Sequence, residues 1–322
     1  MADRVSILIP CYNAERWIAQ AIESALGQTW HVKEVVVVDD GSTDRSLEII
    51  QRYDGRLRWE TGPNRGGNQA RNRLLELATG HWVQYLDADD YLLFDKIERQ
   101  LTKCGESSTP DVIYGPWFLE YWSEQGSRRV LLDIAEPRDP WSLLVRWQLP
   151  QTGGPLFRRQ VLVEVGGWNP DQPVCQEYEL YLRLLMQRRQ FFYCGEGGAV
   201  YRQWGLGTVC KRDMPESLRR RLEITDRAEN FLREHGELSP GRSRAISQGR
   251  FEAARQIWLR APEQAMEVMG RIQEEDPDYA PSGWAAPPLY RLAFDLFGFA
   301  AAERLAGLKR SAFKALRRLP PE

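Results

Sequence analysis

The chain has 322 residues, 43% hydrophobic and 27% charged, with a formal net charge of -2. That length allows a sizeable core and predicts about two domains, while the near-zero charge, with no long block of like charges, excludes nucleic acid as the default partner. The five cysteines, Cys11, Cys104, Cys175, Cys194 and Cys210, are scattered and form no C-x-x-C pair. This speaks against a disulfide framework or a zinc site and predicts a reducing, cytoplasmic setting. The apolar run after MADR is too short for a signal peptide, and no run approaches the roughly 18 apolar residues of a membrane span.

Along the first hundred residues, strands alternate with helices. VSILI (5–9) and EVVVV (34–38) are continuous β-branched runs, the pattern of strands covered on both faces; RLRWE (56–60) and HWVQYL (81–86) are the next candidates. Between them, 14–28 places Trp17, Ile18, Ala21, Ile22, Ala25 and Leu26 at helical spacing ahead of Gly27, and 42–53 and 68–80 read as helices with capping residues or a terminal glycine. The βαβαβ order predicts a mostly parallel α/β sheet with helices on both faces.

Ligands of such sheets bind outside the carboxyl ends of the strands. Three predicted strands end in polar groups: PCYN (Pro10 to Asn13), DDGS (Asp39 to Ser42) and DADD (Asp87 to Asp90). Each cluster alone is ordinary turn or helix-cap chemistry, but three at one edge bring five carboxylates together. Partly desolvated, they require a cation or a set of donors, and hard oxygens without His or Cys suit Mg²⁺ or Mn²⁺ shared with a phosphate-bearing ligand. GPNRGGN (62–68) matches no nucleotide-phosphate fingerprint, which leaves phosphate binding to the metal and Arg71.

The segments VSILIPCYNAERWIAQAIESALGQT, EVVVVDDGSTD, NRGGNQARN, ATGHWVQYLDADD and VGGWNPDQPVCQEYELYLRL, spanning about residues 4–185, resemble the family 2 glycosyltransferases: GT-A fold, inverting, nucleotide-sugar dependent. The resemblance implies that Asp40, with Asp39 beside it, meets the nucleotide base, together with Pro10, Tyr12 and Asn13 of the first strand end. It further implies that Asp87 faces the ribose, that Asp89 ligates Mn²⁺ or Mg²⁺, and that Arg71 belongs to the nucleotide pocket. The family's base lies in an E-D pair opening a helix; this chain reads Gln176-Glu177, so Glu177 takes the place of the aspartate, with Glu179 as the fallback. The implied reaction is one displacement at the anomeric carbon, moving a single sugar from a nucleoside-diphosphate sugar, UDP favoured, to a glycan or lipid-linked acceptor in cell-surface polysaccharide synthesis.

The implied catalytic domain covers 1–214, a nucleotide-sugar half to about 110 and an acceptor half from about 111. The aromatics of YGPWFLEYW (114–122), Trp141, Trp147 and Trp168 are candidates for sugar stacking or for core. From 215 to 322 the pattern is helical, broken at SPGR, RAPE and a Pro-rich stretch. The last segment carries Arg291, Arg304, Lys309, Arg310, Lys314, Arg317 and Arg318 against Asp295, Glu303 and Glu322, a surplus of +4. Such a basic amphipathic helix suits an anionic membrane surface, or packs with a solvated basic face. Alternatives of other classes are a nucleotidyltransferase that makes a nucleotide sugar and a non-catalytic nucleotide- or glycan-binding module.

Overall fold

The structure, a computed structural model, describes residues 3–105, 110–123, 126–136, 138–204 and 213–316, without the side chains of Ser123 and 309–316. The chain divides into two compact units, Met1–Pro140 with Gln148–Asp213, and Trp141–Trp147 with Met214–Glu322.

The first unit runs β1 (Val5–Cys11), α1 (Ile18–Leu26), β2 (Lys33–Asp39), α2 (Ser46–Gln51), β3 (Arg58–Thr61), α3 (Gly67–Leu77), β4 (Trp82–Tyr85), β5 (Tyr91–Leu92), α4 (Lys96–Cys104), β6 (Val112–Tyr114), β7 (Trp117–Ser123) and β8 (Gly126–Leu132). After α5 (Pro140–Val145) it continues with β9 (Leu156–Arg158), α6 (Arg159–Glu164), α7 (Gln176–Met186), β10 (Phe191–Tyr193) and β11 (Ala199–Gln203). The main sheet has seven strands in the order β10-β6-β9-β4-β1-β2-β3, parallel except at β9.

Ile7, Leu8, Val36 and Val37 of its two central strands are fully buried, as the unbroken apolar runs require of strands covered on both faces. In α1 the buried Ile18, Ala21, Ile22 and Ala25 recur at helical spacing, and each buried isoleucine contributes about 1.5–3 kcal/mol. Register places Cys11 opposite Asp39, and Asp39 opposite Thr61, so the polar strand ends fall at one edge.

A second sheet, β5-β11-β7-β8, is absent from the sequence reading. Its β11 pairs with β7 in parallel, Val200 opposite Phe118, and with β5 antiparallel.

The second unit holds α8 (Met214–Glu234), α9 (Pro240–Ile257), α10 (Pro262–Glu275) and α11 (Pro288–Leu316), the last broken at Gly298, where φ is +78°. The breaks read from sequence are helix starts. Ser239 caps α9 by accepting from Arg242 N, with Pro240 in its first turn, and Pro262 opens α10. Phe251, Met269, Ile272, Tyr290 and Phe299 lie in its core.

The segment Trp141–Trp147, expected in the acceptor half, belongs to this helical unit. Trp141 stacks on Phe231 at 5.4 Å, the Arg221 guanidinium lies 5.2 Å from the Trp147 ring, and a Cβ on Gly249 would meet Val145 O. Of the charges read on the terminal helix, Arg291, Asp295 and Arg304 are exposed, whereas Glu303 is buried and paired with Arg255. The side chains of Lys309, Arg310, Lys314, Arg317, Arg318 and Glu322 lie outside the described residues. No described helix is long and apolar enough to cross a membrane.

Candidate active site

A cleft of about 510 Å³ lies at the carboxyl edge of the main sheet. It is lined by Pro10, Tyr12 and Asn13 after β1, Asp40 after β2, Arg71 of α3, Asp87 and Asp89 after β4, and Gln176 and Glu177 opening α7, with Trp17, Tyr201 and Trp204 also on its wall. Asp39 is the predicted residue outside this lining. Its buried carboxylate accepts from Thr61 Oγ1 at 2.7 Å and faces Ser42 N, which ties the end of β2 to β3.

The first two strand ends brace each other. Asn13 has a φ of 48°, a left-handed conformation that Asn tolerates; its backbone N donates to Ser42 Oγ (3.0 Å) and its Oδ1 accepts from Thr43 N (2.8 Å). Gly41, at φ +74°, lets the turn after β3 close in, since a Cβ there would stand 2.7 Å from Asn64 N. Asp40 then accepts from Arg65 N (2.8 Å) and Gly66 N (2.9 Å), holding that turn against the cleft.

The three carboxylates after β4 have separate fates. Asp87 Oδ1 accepts from Arg71 Nη2 at 2.7 Å, Asp89 Oδ2 accepts from Trp204 Nε1 at 3.0 Å, and Asp90 Oδ1 accepts from the backbone N of Arg202 at 2.8 Å. Arg202 is itself fully buried, reaching the Asp89 carbonyl, Gln20 and Glu120, with Trp17 4.2 Å from its guanidinium. The cations and donors that the acidic cluster requires are therefore supplied largely by Arg71, Arg202 and Trp204.

Burial, and next the charge of Asp87, still raises the pKa of Asp89, and burial with Asp89 beside it raises that of Asp90 well above the carboxylate range. Among the described residues no three His, Cys, Asp or Glu side chains are grouped to hold a metal. Asp89, a cleft-lining carboxylate held above its ordinary pKa beside Asp87, fits a cation that takes its other ligands from phosphate and water.

Helix α3 clamps the segment that leads to α7. Asn68 Nδ2 donates to the carbonyls of Asn169 (2.6 Å) and Gln172 (2.9 Å), while Asn72 exchanges bonds with the Trp168 backbone, donating to its O and accepting from its N at 2.8 Å each. Arg71, buried, lies 4.7 Å over the Trp168 ring, with Nη1 donating to Gln176 Oε1 at 2.8 Å. Sequence reasoning assigned Arg71 to the nucleotide pocket and missed this clamp, whose Asn68 and Asn72 were legible only as helix-surface polar residues.

The two candidate bases separate on α7. Glu179 is buried in a bidentate pair with Arg183 Nε (3.0 and 2.9 Å), and that guanidinium also donates to the carbonyls of Val165 and Gly167. Glu177 lines the cleft. Burial raises its pKa, with Arg71 lowering it and Asp87 adding to the rise. Such a carboxylate is a stronger base than a solvated one.

The tryptophans considered for sugar stacking are mostly packing residues. Trp168 is buried edge-on to Tyr85 at 5.2 Å, Trp117 is buried, and Trp141 and Trp147 pack within the helical unit. Tyr201 and Trp204 instead reach the cleft, from a strand that sequence periodicity did not disclose.

Three comparisons bear on this geometry. The family described as glycosyl transferase family 2 matches residues 6–161. An uncharacterized glycosyltransferase of Haemophilus influenzae is 44% identical over 101 residues, 30% of this chain and 40% of that protein. The chondroitin synthase of Pasteurella multocida is 39% identical over 113 residues, 34% of this chain and 12% of that protein. The matches thus span well under half the length of these relatives.

Among solved structures, S. aureus TarS 1-349 in complex with UDP-GlcNAc superposes with a TM-score of 0.67 at 16% identity, covering 95% of this chain and 92% of that one. The mannosyltransferase PcManGT from Pyrobaculum calidifontis, in complex with GDP-Man and Mn²⁺, gives 0.55 at 17% identity, covering 96% and 88%. At such identities the likeness is one of fold. The seven-stranded α/β sheet, its acidic cleft and the match together show that the chain carries a glycosyl transferase family 2 domain over residues 6–161.

Proposed function

We propose that the protein is an inverting glycosyltransferase that moves a single sugar from a nucleoside-diphosphate sugar, UDP favoured, to a hydroxyl of a glycan or lipid-linked acceptor. The observation that carries this reading is the placing of Asp40, Asp87, Asp89 and Glu177 on one cleft, with Glu179 committed elsewhere. The TarS complex with UDP-GlcNAc supports the donor class, and the chondroitin synthase relative supports a glycan product.

Asp40 and the turn it holds receive the base, with Pro10, Tyr12 and Asn13 forming the floor, and Asp87, fixed by Arg71, meets the ribose. Glu177 takes the proton of the acceptor hydroxyl as its oxygen bonds to the anomeric carbon. The bond from that carbon to the diphosphate oxygen breaks in the same displacement, its electron pair leaving with the nucleoside diphosphate. One in-line attack inverts the centre. Asp89 would hold Mn²⁺ or Mg²⁺, which when bound neutralises charge on the departing diphosphate. Among the described residues Cys11, Cys104, Cys175 and Cys194 form no disulfide, which suits a cytoplasmic enzyme. Exposed Leu289, Leu292, Leu296 and Phe297 beside Arg291 suit peripheral contact of α11 with an anionic inner membrane face.

The test is nucleoside diphosphate release from UDP-, GDP- and dTDP-sugars with Mn²⁺ or Mg²⁺, in wild type and Glu177→Gln. The expected result is turnover of one donor, reduced by about 10²–10⁴ in the variant. Formation of a nucleotide sugar from a nucleoside triphosphate would instead identify a nucleotidyltransferase, and ligand binding without turnover a non-catalytic module.

A further inference from the structure

The residue before the proposed base has a role of its own. Gln176 uses both ends of its amide: Oε1 accepts from Arg71 Nη1 at 2.8 Å, and Nε2 donates to the carbonyl of Pro173 at 3.3 Å. The orientation is fixed by chemistry, because a guanidinium only donates and a carbonyl only accepts. The same Arg71 donates from Nη2 to Asp87 Oδ1 and from Nη1 to Asn68 Oδ1 (3.4 Å). One buried guanidinium thus joins the end of β4 to the first residue of α7, across a separation of 105 residues from Arg71 to Gln176.

A glutamate at this position could keep the bond from Arg71, but it would set a carboxylate oxygen against the Pro173 carbonyl and place a second negative charge beside Glu177. The charged and titratable groups that influence Glu177 are Arg71 from α3, Asp87 from the end of β4 and, one turn along α7, Tyr181. With glutamine at 176, the opposite charges of Arg71 and Asp87 pair with no net charge and Glu177 is the one unbalanced charge among them.

We propose that Gln176 is a positioning residue of the transfer reaction, an uncharged bridge that fixes the start of α7 to the Arg71–Asp87 pair and so orients Glu177. The inference rests on the reading of Glu177 as base. Gln176 commits its amide to Arg71 and the Pro173 carbonyl. It sets where the base stands and which charges surround it; a carboxylate of the same shape could keep the bond from Arg71 but would add a negative charge beside Glu177.

The experiment compares wild type, Gln176→Glu and Gln176→Ala by the pH dependence of kcat/KM, and by ¹³C NMR titration of the Glu177 carboxylate, identified by its loss in Glu177→Gln. In Gln176→Glu the acid limb and the NMR titration of Glu177 both move to higher pH by about half a unit or more, as an added like charge requires. In Gln176→Ala, kcat falls by about tenfold or more while the donor KM changes less than about threefold, because alignment rather than binding is lost. Gln176→Ala also separates positioning from packing, since a purely structural residue would lower Tm and leave kcat per folded molecule unchanged. The proposal is overturned if Glu177 titrates identically in Gln176→Glu and kcat is retained in Gln176→Ala. Transfer that survives in Glu177→Gln would refute the reading of the base instead, and the NMR titration would still decide whether residue 176 sets the charge state of Glu177.

Discussion

The indole Nε1 of Trp204 donates to Asp89 Oδ2 at 3.0 Å, so the carboxylate proposed for the metal is oriented by an aromatic residue 115 positions away. The bond favours the anionic form, against burial and the charge of Asp87, which both push the pKa of Asp89 up. Trp204→Phe keeps a ring on the cleft wall but removes the donor. The carboxylate then holds its proton to still higher pH, and cation affinity at neutral pH falls by about 10–100-fold. Thermal-shift titrations with Mn²⁺ and UDP at pH 6 and pH 8 check this: the defect is larger at pH 6. Asp89→Asn loses the Mn²⁺-dependent shift at both pH values.

Glu177 carries a cost to the fold. Its folded-state pKa is raised, chiefly by burial, so the unfolded chain releases this proton at lower pH than the native protein does. The native state therefore loses stability as pH rises from the ordinary glutamate pKa through the raised one. Glu177→Gln removes that dependence, and its Tm at pH 7 is expected to exceed wild type by about 1–3 °C while transfer collapses. Conversely, the acid limb of wild-type kcat/KM lies above the solvated carboxylate range, since the base works only when deprotonated. An acid limb near pH 4 would refute this assignment.

How far the sequence carries can be read from the same residues. Strands β1 and β2 and helix α1 were legible because burial on both faces writes unbroken Val and Ile runs and a 3.6-residue apolar period, whereas the half-exposed edge strand β3 left a weaker trace. The strand ends were legible as a site because parallel topology fixes which edge receives them. Asp40, Asp87, Asp89 and Glu177 reach the cleft as expected, but which acids turn away from it was not legible, because that depends on partners far along the chain: Asp39 is drawn to Thr61 and Asp90 to Arg202. The second sheet was hidden for a related reason. Its strand 117–123 reads as an aromatic surface until Arg202, arriving 82 residues later, supplies the partner for Glu120.

Glu179 provides the control for Glu177. It is buried and paired with Arg183, whose side chain is about one-fifth exposed and also satisfies two backbone carbonyls. Glu179→Gln removes one partner of a largely buried pair, a loss expected to cost about 2–4 kcal/mol of unfolding free energy. Activity per folded molecule stays within about threefold of wild type, because the residue holds the 165–167 turn rather than the acceptor. Urea unfolding and active-site titration of the same preparations check both halves; a greater loss of activity than of stability would make Glu179 the base.

Lys96, at the start of α4, is buried and donates from Nζ to Gln84 Oε1, whose amide in turn donates to the carbonyls of Tyr85 (2.6 Å) and Gly153 (2.8 Å). Burial lowers its pKa to about 7 from 10.5. Between those values the unfolded chain binds a proton that the native protein does not, so stability rises with pH across that window and is flat below it for this group. The span of 3.5 units corresponds to a penalty of at most about 5 kcal/mol at pH 7. Lys96→Met relieves that penalty but leaves Gln84 Oε1 without its donor, which returns about 1–3 kcal/mol. The variant is therefore more stable than wild type at pH 7 by about 1–3 kcal/mol, and the difference shrinks or reverses towards pH 10 as the lysine in the unfolded wild-type chain also becomes neutral. Urea midpoints at pH 7 and pH 9.5 measure it, and parallel pH profiles in the two proteins would mean that Lys96 is charged in the native state.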